Sequence, residues 1–171
     1  MKKVLLAMVA AAAMISTGAM AQSIPAGLFV GAGGSYVKST TNGASSTGAV
    51  NLRVGYELNK YIDTELDVSA GFASGNQRAS TATVLNVVAG YPVDVSGVNL
   101  KPYALVGTGY DFSSTSSTNN NNTNPVFNVG GGLMYNVTEN VALDLRYTYI
   151  DGYNKNSGAA NMVGMNVNYK F

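Results

Sequence analysis

The chain has no cysteine, no histidine and no tryptophan, and only 11% of its 171 residues are charged. Soluble domains average about 25% charged residues. Without Cys there is no disulfide framework, no thiolate metal site and no cysteine nucleophile. Without His, chemistry that relies on imidazole as base, proton shuttle or ligand is excluded. No basic cluster marks a nucleic-acid partner, and no metal or cofactor motif stands out. The Gly-rich runs Gly31–Gly34 and Gly130–Gly132 are not followed by Lys-Ser/Thr or by a helix, so they do not read as phosphate cradles. What the chain does hold in quantity is Gly, at 20 residues, and Asn, at 19.

The first 21 residues read as an export signal. Lys2 and Lys3 precede an apolar run from Val4 to Ile15, and Ala19-Met20-Ala21 has the small-x-small form of a cleavage site, so that Gln22 starts the mature chain. The run is about 12 residues, short of the ~20 that cross a bilayer as a helix. No Cys follows the site, so no lipoprotein anchor is expected. Losing Lys2 and Lys3 leaves eight basic residues against nine acidic ones. Residues 22–171 are then expected to form one domain.

No amphipathic helix is visible in that domain. The recurring pattern is alternation with period two, the mark of a strand with two unlike faces. Val50, Leu52, Val54, Tyr56 and Leu58 oppose Asn51, Arg53, Gly55 and Glu57. Ile62, Thr64, Leu66, Val68, Ala70 and Phe72 oppose Asp63, Glu65, Asp67, Ser69 and Gly71. The same holds over 141–150 and 163–171, and more weakly over 27–37, 81–91, 100–112 and 126–136, which makes eight strands. Tight turns are expected at Asn59–Tyr61 and Thr138–Asn140, an intermediate join at Pro92–Asn99, and long polar loops at 38–47, 73–80, 113–125 and 151–158.

An all-β sheet of this kind closes as an eight-stranded antiparallel up-and-down barrel, with its apolar face either inward in water or outward in lipid. The aromatic residues decide for lipid. On the apolar face, Tyr56, Tyr91, Tyr135, Tyr169 and Phe171 lie at the short-turn end, and Tyr36, Phe72, Tyr110, Phe112, Phe127, Tyr147 and Tyr149 at the long-loop end. Two aromatic girdles around an aliphatic band suit a bilayer, where a Tyr ring sits at the acyl boundary and its hydroxyl among headgroups. Strands of about 10 residues, rising ~3.3 Å each and tilted ~40°, span the ~25 Å apolar band of such a barrel. The other face then lines a narrow lumen and carries Arg53, Glu57, Asp63, Glu65, Asp67, Lys101, Asp111, Asp144, Arg146 and Lys170. Buried charges need partners, so Arg53, Arg146 and Lys101 are expected to pair with the carboxylates Glu57, Glu65, Asp67 and Asp144. Asp63, beside a turn, is expected to reach periplasmic water. The spacing Asp63-x-Glu65-x-Asp67 also suits a calcium or magnesium site, which the nearby cations disfavour.

The chain ends Val163-x-Met165-x-Val167-x-Tyr169-x-Phe171, which resembles the C-terminal signal of bacterial outer-membrane barrels. Gly31-Ala32-Gly33-Gly34-Ser35-Tyr36 and Gly107-Thr108-Gly109-Tyr110 resemble strands of small opacity-type and OmpA-type barrels. The size is nearer the OmpX type, and no peptidoglycan-binding domain is expected after Phe171. The resemblance implies residence in the outer membrane of a Gram-negative cell and contact with its lipids. It also implies periplasmic chaperones and the barrel-assembly machinery as partners during biogenesis, with Val167, Tyr169 and Phe171 read as the assembly signal. Barrel enzymes of that membrane usually rely on a His, so a non-enzymatic structural or adhesive and shielding role, through four extracellular loops, is the leading expectation. A small porin-like channel and a soluble lipocalin-like binder remain alternatives. Deleting Phe171 should slow assembly without weakening the finished barrel; unchanged folding kinetics in an assembly assay would count against the terminal signal.

Overall fold

Period-two alternation becomes antiparallel strand in the computed structural model, which describes residues 25–40, 46–72, 80–114, 121–153 and 159–171. The export segment 1–21 and most of the four expected loops lie outside the described residues. The strands are β1 Leu28–Ser39, β2 Thr47–Asn59, β3 Ile62–Gly71, β4 Ser80–Gly90, β5 Val93–Val95, β6 Val98–Ser114, β7 Asn121–Asn136, β8 Val141–Gly152 and β9 Ala160–Lys170. Among the described residues no helix is long and apolar enough to cross a membrane, which does not bear on strands.

Each long strand pairs antiparallel with its sequence neighbour, and two further ladders close the sheet. β1 meets β9 from Phe29↔Lys170 to Ser39↔Ala160, and β4 meets β6 from Ser80↔Ser113 to Gly90↔Tyr103. The result is a closed barrel of eight long strands with β5 added at one rim. Closure leaves no long edge with unpaired N–H and C=O groups, the condition for a sheet in lipid.

The registers set the two faces. Arg53 lies opposite Gly31 on one side and Asp67 on the other, while Leu52 lies opposite Ala32 and Val68. Inside are Arg53, Glu65, Asp144, Arg146 and a row of asparagines, all buried. Outside are Leu85, Val106, Leu145 and Met165, each more than half exposed. This inverts a water-soluble core, and it is the membrane arrangement of an alternating barrel. A smaller apolar cluster of Val88, Tyr103, Leu105, Met134 and Ala142 fills the lumen on the β4–β8 side. Two inward rings fit because glycines face them. A Cβ at Gly55 would strike the Phe29 ring, and one at Gly132 would strike Tyr103.

The short turns are held by side chains. Asn59 Oδ1 accepts from the backbone N–H of Tyr61 (2.8 Å) and Ile62 (3.0 Å). Thr138 Oγ1 accepts from Val141 N–H at 2.9 Å. These are Asx- and ST-type turns, which the Asn and Thr at those places favour.

Three expectations are corrected. The join Pro92–Asn99 is not plain loop: Val93–Val95 and Val98–Leu100 form a hairpin through Ser96 and Gly97, at φ 54° and 85°. Two central residues with positive φ are what a two-residue hairpin turn needs. The stretch 113–125 is partly strand, because β6 and β7 stay paired out to Ser114↔Asn121; its Thr and Asn residues extend the ladder rather than leaving it. Asp63 does not reach water. It is 2% exposed, turned inward by the same parity that buries Glu65.

Leu145 is 56% exposed at mid-strand on the outer face. Leu145→Arg should destabilise the barrel by ~2–4 kcal/mol, read as a lowered urea midpoint in lipid vesicles. An unchanged midpoint would mean that this face does not meet lipid.

Candidate functional site in the barrel lumen

The charged side chains project inward from strands on opposite walls, and they sort into three groups. The largest joins Arg53 of β2 and Arg146 of β8 to Glu65 and Asp67 of β3 and Asp144 of β8. Arg53 Nε lies 2.7 Å from Asp67 Oδ1 and 3.3 Å from Glu65 Oε2, and its Nη1 is paired with Asp144. Arg146 Nη1 is paired with Glu65 and lies 2.9 Å from Asp67 Oδ2, while its Nη2 lies 3.1 Å from Glu65 Oε2 and 3.3 Å from Asp144 Oδ2. The planar guanidinium, with five donors in a fixed fork, can serve several carboxylates at once, where a lysine has three donors at a single point.

Neutral donors complete the group. Tyr103 O–H donates to Asp144 and accepts from Arg146 Nε at 2.8 Å. Asn86 Nδ2 donates to Asp67 Oδ2 (2.9 Å) and Glu65 Oε1 (3.2 Å), and Asn86 Oδ1 accepts from Asn128 Nδ2 at 2.9 Å. Neither Tyr103 nor Asn86 stood out from the sequence, whereas alternation already put Asn128 on the inward face. Position parity was the available signal for Tyr103, which shares its face with Lys101. Its aromatic character pointed the other way, toward lipid.

The second group is the pair Lys101–Asp63, with Nζ 2.8 Å from Oδ2 and both side chains buried. Lys101 therefore does not join the two arginines, although the sequence suggested it would; Asp63 holds it nearer the short-turn end. The third is Lys170–Glu57, half-buried at the rim. Asp111 sits half-buried at the opposite end of the lumen. The carboxylates of Asp63, Glu65 and Asp67, weighed above as a cation site, all accept from Lys101, Arg53, Arg146 or Asn86. Among the described residues no acidic cluster is arranged for a metal ion.

Among the described residues, a small cavity of ≈ 30 Å³ beside the arginines is lined by Asn51, Arg53, Asp67, Thr148 and Asn166 among others. That is room for a few waters at most.

The outward aromatics fall at the two ends of the strands. Tyr56, Tyr91, Tyr135 and Tyr169 are exposed at the turn end, where Phe171 packs edge-on to Tyr169 at 5.2 Å. Tyr36, Phe72, Tyr110, Phe112 and Tyr147 are exposed at the loop end. Phe127 and Tyr149 are half-buried there, Phe127 against the Tyr153 ring at 5.6 Å and Tyr149 donating to Asp151 at 3.1 Å. Tyr61 and Tyr153 join these rings without having been expected. Val167 is half exposed on β9, and Phe171 N–H donates to Leu28 O at 3.0 Å, tying the C-terminus to β1.

The family described as outer membrane protein beta-barrel domain matches residues 7–171. No curated protein sequence matches the chain. Among solved structures, Neisserial surface protein A has a TM-score of 0.67 at 19% identity, covering 85% of this chain and 98% of its own. The N-terminal barrel of Pseudomonas aeruginosa OprF has a TM-score of 0.59 at 17% identity, covering 82% and 97%. The outer membrane enzyme PagL has a TM-score of 0.53 at 13% identity, covering 84% and 99%. At such identities the likeness is one of fold.

Arg146→Leu would leave Glu65, Asp67 and Asp144 to share Arg53 alone in the buried lumen, and should cost ~3–5 kcal/mol. Equilibrium unfolding in vesicles checks this; a loss below about 1 kcal/mol, the range of exposed pairs, would mean that water reaches the group.

Proposed function

The chain belongs to the outer membrane protein beta-barrel domain family, and from that premise we propose that it is a structural and surface-interaction protein. Its barrel is a plugged anchor, and its specific contacts are made by the loops at the extracellular end. The observation that carries this reading is the filled lumen. Two arginines, three carboxylates, Tyr103 and Asn86 bridge opposite walls, and the cavity beside them is ≈ 30 Å³. An eight-stranded interior is just wide enough for side chains to fill it, and here they do. Such a filling, among the described residues, leaves little room for a solute and weighs against the porin-like alternative.

A catalytic role has little support from the residues. PagL shares the fold and is an enzyme, so the fold alone does not exclude catalysis. This chain has no His, and its inward carboxylates other than Asp111 are held in ion pairs. Specificity then belongs to segments 38–47, 73–80, 113–125 and 151–158, where Ser, Thr, Asn and Gly give polar, adaptable contacts. Adhesion and shielding of the cell surface both use such loops. On this reading, export, chaperone escort and insertion by the assembly machinery through Val167, Tyr169 and Phe171 precede that role.

Two measurements test the proposal together. Planar-bilayer recordings should show no porin-scale conductance, and replacing the four loops by short turns should remove surface phenotypes while the barrel still folds. Large stable openings, or a phenotype indifferent to the loops, would contradict it.

A further inference from the structure

The hairpin between β4 and β6 has an outer face that the barrel does not use. Val93 pairs with Leu100, Asp94 with Asn99 and Val95 with Val98. Directly opposed residues share a face, so Val93, Val95, Val98 and Leu100 form one apolar side, and Asp94 and Asn99 the other. The polar side is engaged: Asp94 Oδ1 accepts from Gly97 N–H at 2.9 Å, and Asn99 Oδ1 accepts from Asn136 Nδ2 at 2.8 Å. The apolar side is open, with Val95 54% and Val98 40% exposed.

That open side is continuous with the lipid-facing wall. Even-numbered positions of β6 point outward, as at Val106, and Val98 and Leu100 keep the same parity. Leu100 lies level with Tyr135 of the turn-end girdle. Val98 lies two residues further on, ~5 Å along the membrane normal for a tilted strand. The headgroup zone beyond the hydrocarbon is also about 5–7 Å deep on each side. Residues suited to that zone stand at the base of the hairpin: Tyr61 stacks on Tyr91 at 5.7 Å, and Lys60 Nζ sits 4.8 Å from the Tyr61 ring.

We propose that the ribbon Val93–Leu100 is a periplasmic-leaflet anchor, its Val93, Val95, Val98 and Leu100 face lying against phospholipid at the headgroup–acyl boundary. The competing occupant is an extended peptide added to the outer edge of β5. That edge is three residues long and follows Pro92, too short to hold a strand by main-chain hydrogen bonds. The proposal rests on the outer-membrane placement and not on the role of the loops, so its failure would leave that role untouched.

The chain has no Trp, so a single introduced indole reports its own surroundings. Val95→Trp, Val98→Trp and, on the polar side, Asn99→Trp would each be folded into phosphatidylethanolamine–phosphatidylglycerol vesicles, part of whose acyl chains are brominated. Folding of each variant is verified by heat-modifiable gel migration. The indoles at 95 and 98 should emit blue-shifted light and lose most of their intensity to the brominated lipid. The indole at 99 should be quenched by aqueous iodide instead. Iodide quenching at 95 and 98 without a lipid effect would overturn the proposal and leave the ribbon free for a periplasmic partner. Equal lipid quenching at all three sites would overturn it as well, since the ribbon would then have no lipid-facing side.

Discussion

Lipid offers no water to a peptide group, and everything else in this barrel follows from that constraint. Each N–H and C=O of the span must find a partner within the sheet. The ladders β1–β9 and β4–β6 meet the demand by closing the sheet on itself. Once closed, a strand with side chains on alternate faces has one face in lipid and the other in a narrow interior. The low charge content is then a consequence, because charge is confined to the lumen, the turns and the loops.

The interior must be filled as well as closed. Apolar packing fills part of it, through Val88, Leu105, Met134 and Ala142. Much of the rest is filled by oppositely charged side chains paired across the barrel. The several donors of each guanidinium let Arg53 and Arg146 reach the same three carboxylates, and Tyr103 supplies a further donor to Asp144. A group of this kind does not necessarily add stability over an apolar filling, but removing one arginine leaves three buried carboxylates to share the other. The same group takes the space that a solute would need. On the proposed reading, specific recognition is left to the two ends of the barrel, polar loops at one and a girdle with an amphipathic ribbon at the other.

Much of this was legible in the chain. Where one face is charged and the other aliphatic, as over Ala49–Leu58 and Ile62–Gly71, parity alone assigns every side chain. Parity fails where both faces are small or apolar. In β1 the inward Phe29 is flanked by Leu28 and Val30, so nothing local marks it as lumenal. Tyr103 was hidden by its type, since most aromatics of this chain face lipid. The partner of Lys101 was hidden by distance: Asp63 is 38 residues away in sequence and meets it only across the closed barrel. The strand β5 was hidden by length, because three residues are too few for alternation to register.

The central claim is that the side chains are turned inside out, and contact with lipid can be measured residue by residue. In methyl-labelled protein in phospholipid nanodiscs, magnetisation transfer from acyl chains should reach Leu85, Val106, Leu133, Leu145 and Val167. It should not reach Val84, Val88, Leu105 or Met134, which alternate with them on the same strands or on neighbouring ones. Transfer to the second set in preference to the first would contradict the account.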